Sequence, residues 1–342
     1  MKYFTGSYIF TISGFMLAWL WGEHFQAGTG FKCIFIVFVL SILEVSLSFD
    51  NAVVNAMKLQ KMNEKWRQRF LTWGILIAVF GMRFLFPILV VSVFANLSLF
   101  EVAKIAFTDS MKYAHYLHLA HAPIVAFGGT FLMMLFLSYF CDYEKEVHWI
   151  KPIEKKCQNI GDVWGLEAFL TLIVLFFVQL FLPLPQRLPV ITSGIVGIII
   201  YLSIDGFTGW LEAKEEESIN VLTVVKGSGL VGFLYLELID ASFSLDGVLG
   251  AFALSKDIII ISIGLAIGAM FVRSLTLMLV EKRTLDEFLY LEHGAHWAIG
   301  ALSVIMLVST FHEVPEIVTG IIGLVFILLS LLSSFLHNKK AD

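Results

Sequence analysis

Two short segments place acidic side chains inside apolar runs. Residues 41–53 read Ser-Ile-Leu-Glu-Val-Ser-Leu-Ser-Phe-Asp-Asn-Ala-Val, so Glu44 and Asp50 lie within an apolar run that extends from Phe31 to Met57. A carboxylate in hydrocarbon is costly, which makes such a residue a candidate for function. Carboxylate oxygens suit hard divalent cations such as Mn²⁺, Mg²⁺ or Ca²⁺. The first segment therefore predicts a cation site within a membrane.

A second segment repeats the same order of residue types. Residues 239–248 read Ile-Asp-Ala-Ser-Phe-Ser-Leu-Asp-Gly-Val, so Asp240 and Asp246 occupy the places of the two acids in the first segment. Two copies of a costly motif indicate that two halves of the chain face one site. Further oxygen-bearing candidates near the four acids are Asn51, Glu237, Ser46, Ser48, Ser242 and Ser244.

Helix geometry limits how the acids of one segment can share an ion. Glu44 and Asp50 are separated on an ideal helix by a rise of about 9 Å and a turn of about 120°. Both can hold one ion only if the helix opens at Ser46 to Ser48, where serine hydroxyls can bond backwards to carbonyls and bend the helix. Alternatively, the two segments run antiparallel and form two carboxylate layers. These layers are Glu44 with Asp246, and Asp50 with Asp240.

Two arginines and two histidine pairs lie in other apolar runs. Arg83 and Arg273 are candidate charge partners or gates, because intramembrane charges usually pair. Four or five acids against two arginines leave negative charge that a cation can balance, although a purely structural pairing stays open. The histidines are candidate proton relays or secondary metal ligands, or interfacial residues that bond to backbone and loops. They are His118, His121, His293 and His296.

The composition is that of a polytopic membrane protein. Of 342 residues, 58% are hydrophobic and 15% are charged, and no basic face that would suit nucleic acid appears. Because a membrane helix needs about 20 apolar residues, the sequence predicts an all-α protein with about ten spans. These lie near residues 7–22, 31–57, 69–95, 115–141, 166–183, 188–205, 222–252, 257–281, 293–311 and 316–336.

The order of polar features recurs between the first five spans and the last five. The acidic motif lies in the second span of each half, an arginine in the third, and a His-x-x-His pair followed by Gly129 or Gly300 in the fourth. Five spans per half is an odd number, so the halves cross in opposite directions. Such inverted repeats place a transport site near the midplane. We therefore predict a first repeat of residues 1–187, with a cytoplasmic loop at 142–165, and a second repeat of residues 188–342.

Lysine and arginine cluster after spans two, four and eight and at the C-terminus. This pattern predicts that both termini of a multi-pass protein of the cytoplasmic membrane lie in the cytoplasm. The loop 205–218 would lie on the cytoplasmic side in this topology, yet it is acidic rather than basic. Acidic residues have little weight in the positive-inside rule, so the predicted topology stands. The first apolar run is either a signal peptide or a retained helix. Trp19 and Trp21 at its end and the lack of a clear cleavage site favour a retained helix.

The two acidic segments resemble the signature segments of the TerC family of integral membrane proteins, which is placed in the lysine-exporter-like transporter superfamily. Tyr-Leu-Glu-His-Gly-Ala-His at 290–296 and Glu-Val-Pro-Glu-Ile-Val-Thr-Gly at 313–320 are similar to a bacterial branch known mainly as a domain of unknown function. The resemblance implies manganese export and a metal site. Gly247 and Gly250 depart from the bulkier second segment expected of the core family. By position, the resemblance assigns the metal to Glu44, Asp50, Asn51, Asp240 and Asp246.

We therefore predict a membrane exporter of divalent metal ions, with Mn²⁺ favoured and Mg²⁺ or Ca²⁺ open. Its expected partners are the lipid bilayer and the metal ion, with a homo-oligomer left open and no nucleic acid. A membrane-embedded metalloenzyme is disfavoured because His-Glu-x-x-His and a plausible nucleophile motif are missing. A scaffold for stress-response partners, of the tellurite-resistance type and docking through the acidic loop 205–218, is a third alternative.

Overall fold

The computed structural model is helical throughout the part of the chain that it describes. It describes residues 2–341 except 26, 75, 76, 78, 79, 82–84, 96, 144, 162, 164, 218–228, 231, 241–250, 252, 253, 256, 283–287 and 313. No strand occurs among these residues. Helices satisfy their own backbone hydrogen bonds, which the bilayer interior demands. The all-α polytopic class predicted from the sequence is confirmed.

The described α-helices follow the apolar runs of the sequence. A 3₁₀ turn (Lys2–Phe4) precedes the first helix, a π-helix (Phe70–Gly74) follows the fourth, and residues 232–240 are helical. The helices are α1 (Thr5–Phe25), α2 (Gly30–Leu47), α3 (Phe49–Lys61), α4 (Glu64–Arg69), α5 (Phe86–Ala95), α6 (Leu99–Thr108), α7 (Ser110–Phe140), α8 (Lys151–Ile160), α9 (Leu166–Leu180), α10 (Leu184–Glu217), α11 (Ile258–Lys282), α12 (Leu291–Ser309) and α13 (Glu316–Ala341).

Six of the described helices are long and apolar enough to cross a membrane. Helices α7, α11 and α12 form the interior, because 72%, 61% and 67% of their most apolar windows are buried. The corresponding values are only 28%, 28% and 22% for α2, α10 and α13. These outer helices present large apolar side chains outward, as lipid-facing helices do. The remaining predicted spans fall on α1, on the shorter α9 and on partly described segments, so the number of ten stays a prediction.

Helices α7 and α12 cross each other at two glycines. A Cβ built on Gly129 would lie 2.9 Å from Cγ of Leu307, and one built on Gly300 would overlap the ring of Phe136. Leu307 lies seven residues after Gly300, and Phe136 lies seven residues after Gly129, so the two contacts are reciprocal. Helices α7 and α12 are therefore antiparallel, as expected for the fourth spans of two repeats related by inversion. The repeat boundary at 187/188 stays a prediction.

The structure differs from the sequence reading at the acidic segment 205–218. The sequence predicts a loop there, but α10 continues without interruption to Glu217. Residues 211–217 read Leu-Glu-Ala-Lys-Glu-Glu-Glu, all strong helix formers, so the helix extends past the apolar run. The short helices α4, α6 and α8, which the span pattern did not predict, lie between the longer ones.

Candidate functional site

The first acidic segment contains a break in its helix. Helices α2 and α3 are separated by a single non-helical residue, Ser48, with φ −106° and ψ 15°. The Oγ of Ser48 donates to Oε1 of Glu44 at 3.0 Å, and the Oγ of Ser46 donates to the Ile42 carbonyl at 2.9 Å. Backbonding of this kind bends helices. The Ser48 N–H still donates to the Glu44 carbonyl, and the Ser48 carbonyl accepts from the Ala52 N–H. The chain therefore departs from helical geometry at Ser48 without losing these hydrogen bonds, and the choice between the two predicted arrangements stays a prediction.

Glu44 is buried between α2 and α11, with 1% of its surface exposed. A Cβ on Gly268 would lie only 2.5 Å from Cβ of Glu44. One turn earlier, Gly264 lies equally close to Leu40, and the Oγ of Ser41 donates to the Gly264 carbonyl at 3.1 Å. Glycines four residues apart let membrane helices approach closely. The tight α2–α11 contact is what holds the carboxylate away from lipid.

The second acidic segment meets the first through a residue that the sequence analysis did not select. Nδ2 of Asn55 donates to Oδ1 of Asp240 at 2.7 Å, and both side chains are buried. Asn55 lies four residues after the buried Asn51, on the same face of α3. That spacing is the signal that could have identified Asn55. The bond places Asp240 opposite the second turn of α3, rather than level with Asp50 as the layer arrangement predicts.

Residues 232–240 pack along α3 in the antiparallel direction that the sequence predicted. Asp240 meets Asn55, and Gly232 lies against Met62 near the other end of α3. The ring of Phe233 packs edge-on against Phe70 in the π-helix, with centroids 6.0 Å apart. The described beginning of the second acidic segment therefore packs against the helix that continues the first.

Glu237 adds a second buried carboxyl group one turn before Asp240. It is 5% exposed, and neither of its carboxylate oxygens has a hydrogen-bond partner among the described residues. Its Oε1 lies 3.0 Å from the place where Gly74, at the end of the π-helix, would carry a Cβ. π-Helical turns are frequent at functional sites. A buried carboxyl group without a donor needs a proton or a cation to balance it.

Several predicted site residues lie outside the described part of the chain. Of the predicted ligands, Asp50 is described only by its backbone in the first turn of α3. Among the described residues, no three His, Cys, Asp or Glu side chains are grouped closely enough to hold a metal ion. The complete ligand set therefore stays a prediction. The predicted residues wholly outside the described part are Asp246, Ser242, Ser244 and Arg83.

Arg273, the second predicted charge partner, lies on α11 one turn beyond Gly268. Its Nε is buried and has no hydrogen-bond partner among the described residues, and no ion pair joins it to a described acid. Its role as a gate stays a prediction.

The four predicted relay histidines fall into two different environments. His118 is exposed and His121 is half-buried on α7, within three turns of its beginning. His293 and His296 are both buried near the start of α12. The ring of His296 stacks on Tyr139 with centroids 3.6 Å apart, and its Nδ1 lies 2.8 Å from the Glu292 carbonyl. The second pair is engaged in helix and loop contacts, and a relay role stays a prediction.

His293 belongs to a buried polar cluster that the sequence analysis did not select. Its Nε2 lies 2.8 Å from the Val147 carbonyl and 3.6 Å from Oε2 of Glu154, in α8. Nζ of Lys145 lies 3.4 Å from the same carboxylate oxygen, and the Trp297 indole donates to Oε1 at 3.1 Å. These contacts hold the loop between α7 and α9 against the beginning of α12.

The charges of this cluster are strongly coupled. Burial by itself would raise the pKa of Glu154, but the Ile150 backbone N–H, the Trp297 indole and the charges of Lys145 and His293 hold that pKa below its usual range. Burial lowers the pKa of Lys145, although Glu154 opposes this shift. The carboxylate is therefore ionised at neutral pH and is neutralised by Lys145. The members of this cluster lie in the loop, in α8 and in α12. No local sequence pattern therefore predicts that they meet.

Comparison with known proteins places the chain among membrane proteins. A family model described as "Protein of unknown function (DUF475)" matches residues 49–341. The chain is 30% identical over 137 residues to the "Uncharacterized membrane protein YceF" of Bacillus subtilis (strain 168). The matched region covers 38% of this chain and 52% of the relative. The chain thus spans about half the length of the curated relative it matches. No solved structure matches it.

Proposed function

Because this chain belongs to the DUF475 family, whose description assigns no function, we propose from the buried polar site that it is a transporter of divalent metal ions across a membrane. The observation that carries the proposal is a buried hydrogen bond between Asn55, two residues beyond the first acidic segment, and Asp240 of the second. Glu44 and Glu237 are also buried in the helix bundle.

Charge balance supports a cation as the transported species. Buried carboxylates are expensive unless an opposite charge compensates them. Glu237 is 5% exposed, and neither of its carboxylate oxygens has a hydrogen-bond partner among the described residues. A divalent cation bound by oxygen ligands would supply that charge.

The bend at Ser48 and the α7–α12 crossing are the architectural support for transport. Ser48 departs from helical geometry between Glu44 and Asp50, while its backbone N–H and carbonyl remain hydrogen-bonded to Glu44 and Ala52. Transport sites are commonly built at irregular points of membrane helices. The reciprocal α7–α12 crossing fits the inverted architecture in which two halves rock about a central site.

The identity of the ion and the direction of transport come from the resemblance to TerC proteins. We propose Mn²⁺ as the principal substrate and export from the cytoplasm as the direction. Oxygen-only ligand sets also accept Mg²⁺ and Ca²⁺. Competition by these two ions is therefore part of the test.

The direct test is transport by the purified full-length protein in liposomes that contain a manganese-quenched dye. We expect Mn²⁺ entry with the wild-type protein, and a loss of at least about tenfold with Glu44→Gln or Asp240→Asn, because each variant removes a ligand charge. Glu146→Gln is the matched control, since this exposed glutamate lies in the loop before α8. It should transport at the wild-type rate.

Two results would contradict the proposal. One is transport of Mn²⁺ by both ligand variants at the wild-type rate, with equal amounts of protein in the liposomes. The other is the absence of any divalent-ion flux in the wild type under an imposed ion or proton gradient. In cells, loss of the protein should raise cellular Mn under Mn stress, and a fall in cellular Mn would reverse the proposed direction.

A further inference from the structure

Helix α8 presents a basic and apolar outer face that the transport site does not use. Lys151, Lys155 and Lys156 are exposed, and no described acid forms an ion pair with any of them. Two isoleucines seven residues apart, Ile153 and Ile160, are 47% and 49% exposed on one stripe of the helix. Lys156 lies next to this stripe, and Lys151 and Lys155 lie about 160° around the helix from Ile153. A short helix with separate basic and apolar sides is typical of segments that lie in a membrane interface.

The opposite face of α8 is fixed to the protein. Glu154, the only acidic residue of the helix, is buried against Trp297 and Lys145. Gln158 is also turned inward, and its Nε2 donates to the carbonyls of Tyr143 and Lys145 at 2.9 and 2.8 Å. The only carboxylate of α8 is therefore buried in the protein, and the charged side chains that α8 exposes are all lysines.

The position of α8 is set by the membrane helices around it. It is connected to the end of α7 at Phe140 and to the start of α9 at Leu166, and it contacts the first two turns of α12 through His293 and Trp297. Two helices of spanning length, α7 and α12, and the shorter apolar α9 therefore have one end near α8. The ends of membrane helices lie near the headgroups.

We propose that α8 is an interfacial helix that binds the anionic phospholipid headgroups of the membrane in which the protein is embedded. The three lysines face phosphate groups, and the two isoleucines enter the upper acyl region. Lysine stems extend along apolar surface while their charges reach the headgroups. Anionic lipids attract basic segments at the membrane surface through charge. This proposal does not depend on metal transport, because it concerns a surface that contains none of the proposed ligands.

The test is hydrogen exchange of the full-length protein in two kinds of vesicle. One kind contains phosphatidylcholine alone, and in the other about a third of the lipid is phosphatidylglycerol. We expect peptides covering residues 151–160 to exchange about tenfold or more slowly in the anionic vesicles, and we expect high salt to remove this protection because it screens the lysines. Helix α6, at the other end of α7, should exchange equally in both.

The variants separate charge recognition from simple burial. Combined Lys151→Gln, Lys155→Gln and Lys156→Gln should abolish the difference between the two vesicle types while leaving the exchange of α7 unchanged. The matched control is Lys104→Gln with Lys112→Gln, which removes exposed charges near the opposite end of α7 and should retain the difference.

Two results would overturn the proposal. One is equal exchange of α8 in the two vesicle types, whether α8 is protected in both or in neither. The other is protection by phosphatidylglycerol that survives the triple substitution. Each result can be read whether or not the protein transports metal.

Discussion

Nδ2 of Asn55 donates a 2.7 Å hydrogen bond to Oδ1 of Asp240, across 185 residues of sequence. This bond joins α3, which continues the first acidic segment, to the first acid of the second. It gives one carboxylate oxygen of Asp240 a neutral donor. The bond thereby sets the register of residues 232–240 along α3.

Replacing Asn55 with Asp should make the stability of the protein depend more strongly on metal. Two carboxylates would then face each other at hydrogen-bonding distance, and they need a cation or a shared proton between them. We expect Asn55→Asp to melt at a lower temperature than the wild type without metal, and to recover more stability when Mn²⁺ is added. The control is Gln186→Glu, an exposed change in the first turn of α10. Equal Mn²⁺ shifts in all three proteins would contradict the prediction.

Replacing Gly268 with Leu should disrupt the site through packing alone. A Cβ at this position lies 2.5 Å from Cβ of Glu44 and 2.9 Å from the Ser41 carbonyl, so α2 and α11 must separate. Overpacking of this kind costs about 1–3 kcal/mol or more. We expect a lower melting temperature and loss of Mn²⁺ uptake. Gly206→Leu, where nothing lies within 4 Å, should change neither measurement.

Glu154→Ala should release the loop between α7 and α9. The variant leaves Lys145 buried without its counter-charge and removes the acceptor of the Trp297 indole, which costs about 3 kcal/mol by comparison with other buried pairs. We expect faster proteolysis within residues 142–165 and a lower melting temperature. Glu146→Ala, on the exposed part of the same loop, should resemble the wild type. Unchanged proteolysis of the Glu154 variant would refute the assigned role.

The same loop should respond to acid. Since the pKa of Glu154 is lowered in the folded protein, the stability contributed by its ionised form is complete above the usual carboxyl range. That contribution is lost as the pH falls through the lowered pKa of the folded state. We expect hydrogen exchange of residues 142–161 to accelerate at acidic pH in the wild type. In Glu154→Gln this acceleration should be much smaller, and an equal acceleration in both would count against the assignment.

Gly129→Leu and Gly300→Leu should destabilise the protein by similar amounts. Each added side chain enters the α7–α12 crossing from one of its two reciprocal sides, against Leu307 or against Phe136. We expect each change to cost about 1–3 kcal/mol, and the double variant to depart from additivity because both act on one contact. Melting temperatures of the four proteins check this. A large effect from only one glycine would show that the crossing is not symmetric.

The sequence alone determined the fold class and the residues worth examining. Apolar runs of membrane-spanning length leave the helix as the structure that satisfies every backbone group, so the class followed from composition. The repeated acids were visible because carboxylates inside apolar runs are rare. An irregularity at Ser46 to Ser48 was one of two alternatives that the sequence left open, since serines bend helices through local hydrogen bonds.

Only the tertiary structure decided which side chains meet. Asn55 carries no charge, and its sequence context gives no sign of a function. It donates to Asp240 because the register and crossing angle of the packed helices bring these two residues face to face. Glu154 lies in a loop that the span pattern treated as a connection, and its partners on α12 are about 140 residues away. Contacts between distant segments depend on how helix surfaces fit, including where glycines let backbones approach. Spacing along the chain does not encode that fit.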